Sequence, residues 1–223
     1  MGKSVSEKTL ELNVGVEILN CIRGWHGGER AFWIGMKQNQ EARNGIDELI
    51  DNTQGLYHLA LQFKSPNSRP PDSVPYRFSI NDRQHAHLLR LARTRPDAVY
   101  YVFPHYNTFL SMRMRSPDLL SDTYFARDAD VDPLTPSGNA QGTHRVRTDP
   151  PVAEIYSDPV QISLKPAREV LDGFLRTSRI EHDLVYHEAL REWLRGLFEE
   201  ERRNTWRIGQ RLRGFSTVCL LGR

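Results

Sequence analysis

Two cysteines, Cys21 and Cys219, stand near opposite ends of a 223-residue chain, each in apolar company. So few, so placed, supply neither a disulfide framework nor the Cys/His spacing of a zinc site, and both read as buried free thiols. No apolar run approaches the roughly 20 residues needed to span a bilayer. The polar stretch from Met1 to Thr9 lacks the apolar segment of a secretory leader. The expectation is a cytoplasmic protein that does not enter a membrane. An excess of charge is missing too: 30 basic residues face 28 acidic ones, for a formal net charge of +2. Any affinity for nucleic acid must therefore come from local clusters of charge and not from the field of the whole chain. No repeat of fixed period runs through the sequence. Its hydrophobic share, 39% of residues, is enough for one core of ordinary size.

Ser4 and Glu7 have capping-box spacing, and Leu10, Val14, Ile18, Cys21 and Ile22 recur after them at helical intervals. Leu12, Val16 and Leu19 lie on another side, so this helix is expected to be covered on two faces. Gly24 and the pair Gly27–Gly28 end it. Ala31–Met36 reads as a short strand, Gly45–Ile50 as a second and Leu56–Lys64 as a third, with a turn at Asn52–Gly55. Ser65–Pro75, with four prolines, is a loop, and Tyr76–Ile80 a short strand. Asn81 or Asp82 caps the next helix, and Ala98–Phe103 is apolar enough for a strand buried on both faces. From Arg115 to Pro159 the pattern weakens, and residues 137–151 read as an exposed loop. Val160–Leu164 gives one more strand, Arg179–Arg213 a long charged helix or helix pair, and Ser216–Leu221 a β-prone end. The expected fold class is α/β, a mixed sheet of four or five strands flanked by helices, with a helical C-terminal appendage. Residues 1–113 form the core of this division, and 114–223 a loop-rich excursion and helical extension packed on it.

The chemistry gathers on the second and third strands. Gln62 and Lys64 are separated by one residue, so period-two geometry puts them on one face, with Phe63 on the other. A turn near 53–55 brings Asp47, on the neighbouring strand, toward the same end of the sheet. A carboxylate and a carbonyl oxygen are the hard donors that Mg²⁺ takes, leaving places for water and a phosphate. A lysine beside them stabilises developing negative charge or orients the attacking water.

Asp47 in NGID, followed by Gln62 and Lys64 in LALQFK, resembles the PD-(D/E)xK nuclease superfamily. The likeness is to Mrr-type restriction nucleases and related endonuclease domains of prokaryotic defence, in a variant where Gln replaces the acidic residue of the second half-motif. It covers roughly residues 6–106. The order of helix, three-strand meander, helix and strand is similar to the restriction-endonuclease-like core. The resemblance implies a Mg²⁺- or Mn²⁺-dependent endonuclease acting on DNA, as a homodimer or a subunit of a defence complex. Asp47 would be the principal metal ligand, Gln62 the second, and Lys64 the catalytic lysine. The family also has an acidic residue on the first helix, and Glu11 and Glu17 both qualify, with Glu11 preferred. Glu41 is a further helper. This sequence departs from the pattern in having Ile46 where the family label has proline, and a neutral Gln62.

Other polar features have ordinary explanations beside functional ones. Gln84, His85 and His87 open a helix and read as capping or surface residues, although that first turn can also face a phosphate, giving Gln84 a nucleic-acid role. His105 reads as a satisfied strand-end histidine, and His182 and His187 as surface residues. Arginines at 90–95, Arg113 and Arg115, and Arg207 within RRNTWRIGQRLR either track a nucleic-acid backbone or form solvated helix faces. A different class of function is open as well: a non-catalytic nucleic-acid-binding or protein-interaction module on the nuclease scaffold.

Overall fold

The computed structural model describes residues 5–24, 31–35, 48–52, 57–67, 75–93, 98–131, 142–156 and 160–177. The chain divides into two units, Met1–His182 and Asp183–Arg223, and every described residue belongs to the first. The expected helix at Arg179–Arg213 and the β-prone end at Ser216–Leu221 lie outside the described residues.

Helix α1 runs Glu7–Arg23. Its N-cap is Ser6, whose hydroxyl oxygen accepts the Thr9 amide at 3.2 Å. Glu7, expected to close a capping box, is instead drawn to a tertiary partner: its carboxylate accepts the Ser65 amide at 3.0 Å. Leu10, Val14, Ile18 and Ile22 make one fully buried stripe. The second apolar face is not covered as expected, since Leu12 and Val16 are 56% and 55% exposed. Only Leu19 of that face packs against the core.

Strands β1 (Phe32–Gly35), β2 (Glu48–Asn52) and β3 (Tyr57–Phe63) form an antiparallel meander. β4 (Tyr76–Asn81) leaves that sheet, and α2 (Asp82–Ala92) follows, capped by Asn81, whose side-chain oxygen accepts the amides of Arg83 and Gln84. β5 (Val99–Pro104) then returns parallel to β3. A short α3 (Phe109–Arg115) and a 3₁₀ turn (Leu119–Asp122) lead to β6 (Thr123–Arg127) and a single turn of helix, α4 (Asp128–Val131). β7 (Thr143–Asp149), β8 (Val152–Ile155) and β9 (Val160–Ser163) precede the two-residue β10 (Lys165–Pro166) and α5 (Ala167–Thr177).

The fold is mixed α/β with two sheets, one of six strands in the order β1-β2-β3-β5-β6-β10 and one of four in the order β4-β7-β8-β9. The larger sheet thus exceeds the expected four or five strands. The smaller one corrects the expectation of an exposed loop at 137–151, because β7 and β8 lie within or beside that stretch. Central β5, with all six residues buried, divides the interior. On one face Tyr100 and Val102 join Leu59, Leu61 and Phe63 in a core closed by α1 and α5. On the other, Tyr101 and Phe103 meet α2 and the second sheet, with the Phe78 and Phe103 rings 5.0 Å apart edge to face. No helix among the described residues is long and apolar enough to cross a membrane.

Two contacts in these layers have measurable consequences. Gly15 lies against the indole of Trp33, and a methyl group there would overlap the ring. In an isolated helix, Gly→Ala stabilises by about 1 kcal/mol; here overpacking dominates. Gly15→Ala is expected to destabilise by about 1–3 kcal/mol, read from a denaturant midpoint, and a gain in stability would contradict the packing. His105 lies between Tyr76 and Tyr124, with ring centroids 4.4 and 4.7 Å away, and its Nε2 is 2.9 Å from the Thr148 hydroxyl. Burial depresses its pKa from 6.5 to about 4, against a small opposing pull from Asp122. The unfolded chain therefore takes up a proton that the folded one refuses. Stability falls by roughly 3 kcal/mol as pH drops from about 6.5 to about 4. His105→Gln should show a shallower loss over that window; an identical slope would remove His105 as its cause.

Candidate functional site

Gln62 and Lys64 lie at the carboxyl end of β3, and Lys64 extends the ladder by donating its amide to the Val102 carbonyl at 3.0 Å. Because Leu61 and Phe63 point into the α1 core, alternation turns Gln62 and Lys64 to the opposite face, toward α2. They are 0% and 6% exposed. A third side chain joins them there. Gln84, in the first turn of α2, accepts from the Lys64 ammonium through Oε1 at 2.5 Å and donates through Nε2 to Gln62 Oε1 at 2.7 Å. Gln62 in turn donates through its own Nε2 to the Phe63 carbonyl at 3.1 Å. The ammonium has only donors to offer, so it sets the direction of the whole relay. Gln84, read from the sequence as a capping or substrate-facing residue, is the bridge that holds the pair.

A polar floor lies beneath the relay. Lys64 Nζ stands 6.0 Å over the centroid of the Tyr101 ring. His85, next to Gln84 but buried and not at the surface as expected, has Nδ1 3.0 Å from both the Tyr101 hydroxyl and Asp128 Oδ1. A carboxylate only accepts, so Nδ1 carries its hydrogen toward Asp128. Burial first, then the charge of Asp128 and its hydrogen bond, push the Tyr101 phenol well above its ordinary range, and it stays protonated. His144 on β7 brings its Nε2 to 2.5 Å from Asp82 Oδ1 of α2, an ion pair when the ring is protonated. Neither His–Asp pair was legible in the sequence: His144 lies on β7, which was not expected to be a strand, and Asp128 is 43 residues from His85.

Of the two glutamates left open on α1, the structure distinguishes the surroundings. Glu17 accepts the amides of Leu119 and Leu120 at 2.7 and 3.2 Å, and so caps the 3₁₀ turn. Burial raises its pKa, partly offset by those two amides. Glu11 is 5% exposed and forms an ion pair with Lys8. It approaches from the α1 layer, whereas Gln62 and Lys64 face α2. Glu7, missed as a site residue, is the α1 carboxylate nearest in the chain of contacts, because it holds the amide of Ser65, next to Lys64. Arg113 is exposed on α3. Asp47, Glu41 and Arg207 lie outside the described residues. Glu48, the first described residue of β2, pairs with Leu61, the neighbour of Gln62.

Gln62 Oε1 and the Glu7 carboxylate, which holds the amide next to Lys64, are oxygens, the chemistry that suits Mg²⁺ or Mn²⁺ better than zinc. Among the described residues no group of three or more His, Cys, Asp and Glu side chains is placed to hold a metal ion. No protein-family model matches the chain, and comparison with curated proteins and with solved structures finds no match. The relay makes its own prediction. Gln84→Ala removes a hydrogen bond from both Lys64 and Gln62 and is expected to destabilise by about 1–3 kcal/mol. Gln84→Glu, which keeps an acceptor for Lys64 but loses the donor to Gln62, should fall between. Wild-type stability in the Ala variant, measured by chemical denaturation, would mean that the relay does not hold the pair.

Proposed function

We propose that the protein is a divalent-metal-dependent nuclease of the PD-(D/E)xK type, with Asp47, Gln62 and Lys64 as its reacting group. The observation that carries the reading is a buried lysine at the carboxyl end of a central strand, tied through Gln84 to the amide two residues before it. The element order is compatible with it as well: a helix, an antiparallel meander, an excursion through β4 and α2, and a strand parallel to β3. Bound at Asp47 and Gln62, Mg²⁺ or Mn²⁺ would polarise a phosphodiester and acidify a water. The chain's own part is to fix the positive charge of Lys64, through Gln84 and the Tyr101 face, where negative charge grows on the phosphate. Of the two α1 glutamates that the resemblance offers, Glu17 is engaged at the 3₁₀ turn and Glu11 is paired with Lys8 in the α1 layer. DNA as substrate, endonucleolytic cutting and a setting in restriction or antiviral defence follow from the resemblance alone.

One observation favours a second reading. The relay satisfies Gln62 and Lys64 mutually and without an anionic partner at position 62, which also suits a scaffold that binds nucleic acid without cutting it. Incubation of the protein with plasmid and Mg²⁺ or Mn²⁺, with and without EDTA, separates the two. Metal-dependent nicking, lowered at least 100-fold in Asp47→Ala and Lys64→Ala variants that retain their melting transitions, is the expected result, at about 2.7 kcal/mol or more of lost transition-state stabilisation. Wild-type cleavage by both variants would overturn the assignment. Salt-sensitive binding with no nicking of any substrate would favour the binding module.

A further inference from the structure

We infer that the outward face of the second sheet is the surface along which the nucleic-acid backbone lies; this rests on the nuclease reading above. The sheet is one-sided. Tyr76, Phe78 and Ile80 of β4 and His144, Val146 and Thr148 of β7 are buried, which turns Arg77, Ser79, Arg145 and Arg147 outward. The register sets Arg77 directly opposite Arg147, and Ser79 opposite Arg145. Arg145 is therefore also a diagonal neighbour of Arg77. Like charges placed opposite each other on a sheet repel, and a folded chain that keeps three arginines so close gains most from a polyanion laid across them. Glu154, opposite Arg147 on β8, and Asp149 offset part of this charge. The Tyr156 hydroxyl, 3.2 Å from an Arg147 terminal nitrogen, fixes that guanidinium in place.

This sheet is tied to the chain segment that follows Lys64. Three residues after Lys64, the Asn67 amide donates to the Arg77 carbonyl at 2.6 Å and the Asn67 side chain donates to the Ser79 hydroxyl, also at 2.6 Å. Three residues of extended chain reach about 10 Å, and one strand of a duplex rises about 3.4 Å per nucleotide. With the further step of about 5 Å from Asn67 across to Arg77, the arginines begin within about five nucleotides of a phosphate held at Lys64. A β-sheet face bearing guanidinium groups reads phosphate positions without reading sequence, which suits a positioning surface.

The test is fluorescence anisotropy with labelled duplex DNA, single-stranded DNA and RNA of about 30 nucleotides in EDTA, from 50 to 200 mM salt, alongside plasmid cleavage in Mg²⁺. The double variant Arg77→Gln/Arg145→Gln, with an unchanged melting transition, should bind about tenfold or more weakly. Its log–log salt slope on duplex should be shallower by roughly 2. A wild-type slope in that variant overturns the surface, and leaves the nuclease reading standing where the wild type cleaves. A reduced slope with no cleavage by the wild type supports the surface and removes the nuclease reading. No binding of any probe by the wild type removes both.

Discussion

Two neighbouring strands that run parallel cannot be joined by a tight turn, so the pairing of β3 with β5 obliges the chain to leave the sheet and come back. Everything at the site follows from that excursion. It brings the carboxyl ends of β3 and β5 side by side, where a parallel sheet leaves its ligand crevice. It carries β4 out to found a second sheet, and it returns through α2, whose first turn must then pass over the face of β3 that bears Gln62 and Lys64. Burial of β5 on both faces is the energetic reason the pairing holds. Its odd and even residues feed two separate cores, one against α1 and one against α2 and the second sheet. A polar residue anywhere in VYYVFP would weaken one of them unless it found a partner there, as the Tyr101 hydroxyl does in His85 and Asp128.

Much of the larger sheet was legible in the sequence because its signals are local. The stripe from Leu10 to Ile22 reads as a helix, the alternation of LYHLALQF as a strand, and the apolar run at β5 as a buried strand, without knowledge of what they touch. The second sheet was not legible, and β7 shows why. Its inward residues are His144, Val146 and Thr148, so two of three inward positions are polar and the alternation of apolar with polar disappears. Those residues meet long-range partners: His144 faces the Asp82 carboxylate, and Thr148 is hydrogen-bonded to the Tyr76 carbonyl and His105. A pattern of hydrophobicity cannot register a position whose burial is made affordable by a hydrogen bond to a residue more than forty places away.

The same distinction runs through the site. The spacing of Gln62 and Lys64 gave their common face, because alternation on a strand is a property of three consecutive residues. Gln84 is twenty residues from Lys64, and nothing in QHAH separates a bridging amide from a surface one. Glu7 and Glu17 had credible local roles, as a capping partner and as a mid-helix acid. Each proved to hold backbone amides of a remote segment, Ser65 in one case and Leu119 with Leu120 in the other. Helix α1 is in this way pinned at its start and past its middle to the segments that follow β3 and α3. Glu11, between them, is the α1 carboxylate not committed to a backbone amide in the described interactions, and its partner Lys8 is largely exposed.

A buried ammonium is costly, and an apolar side chain of similar volume is often at least as stable. Position 64 keeps its lysine at 6% exposure, and the groups that meet it in the relay and beneath it, Gln84 and the Tyr101 ring, are neutral. A glutamate at position 62 would draw Gln84 Nε2 more strongly and place a counter-charge two residues from Lys64. The amide that stands there leaves more of the lysine's field directed at whatever anion enters beside it. On the proposed nuclease reading, Gln62 trades a weaker attraction for a cation against neutralising Lys64 less than a glutamate at the same position would. On that same reading, a phosphodiester, which is anionic and brings its own oxygen ligands for a divalent ion, would supply much of the metal affinity of a site arranged this way.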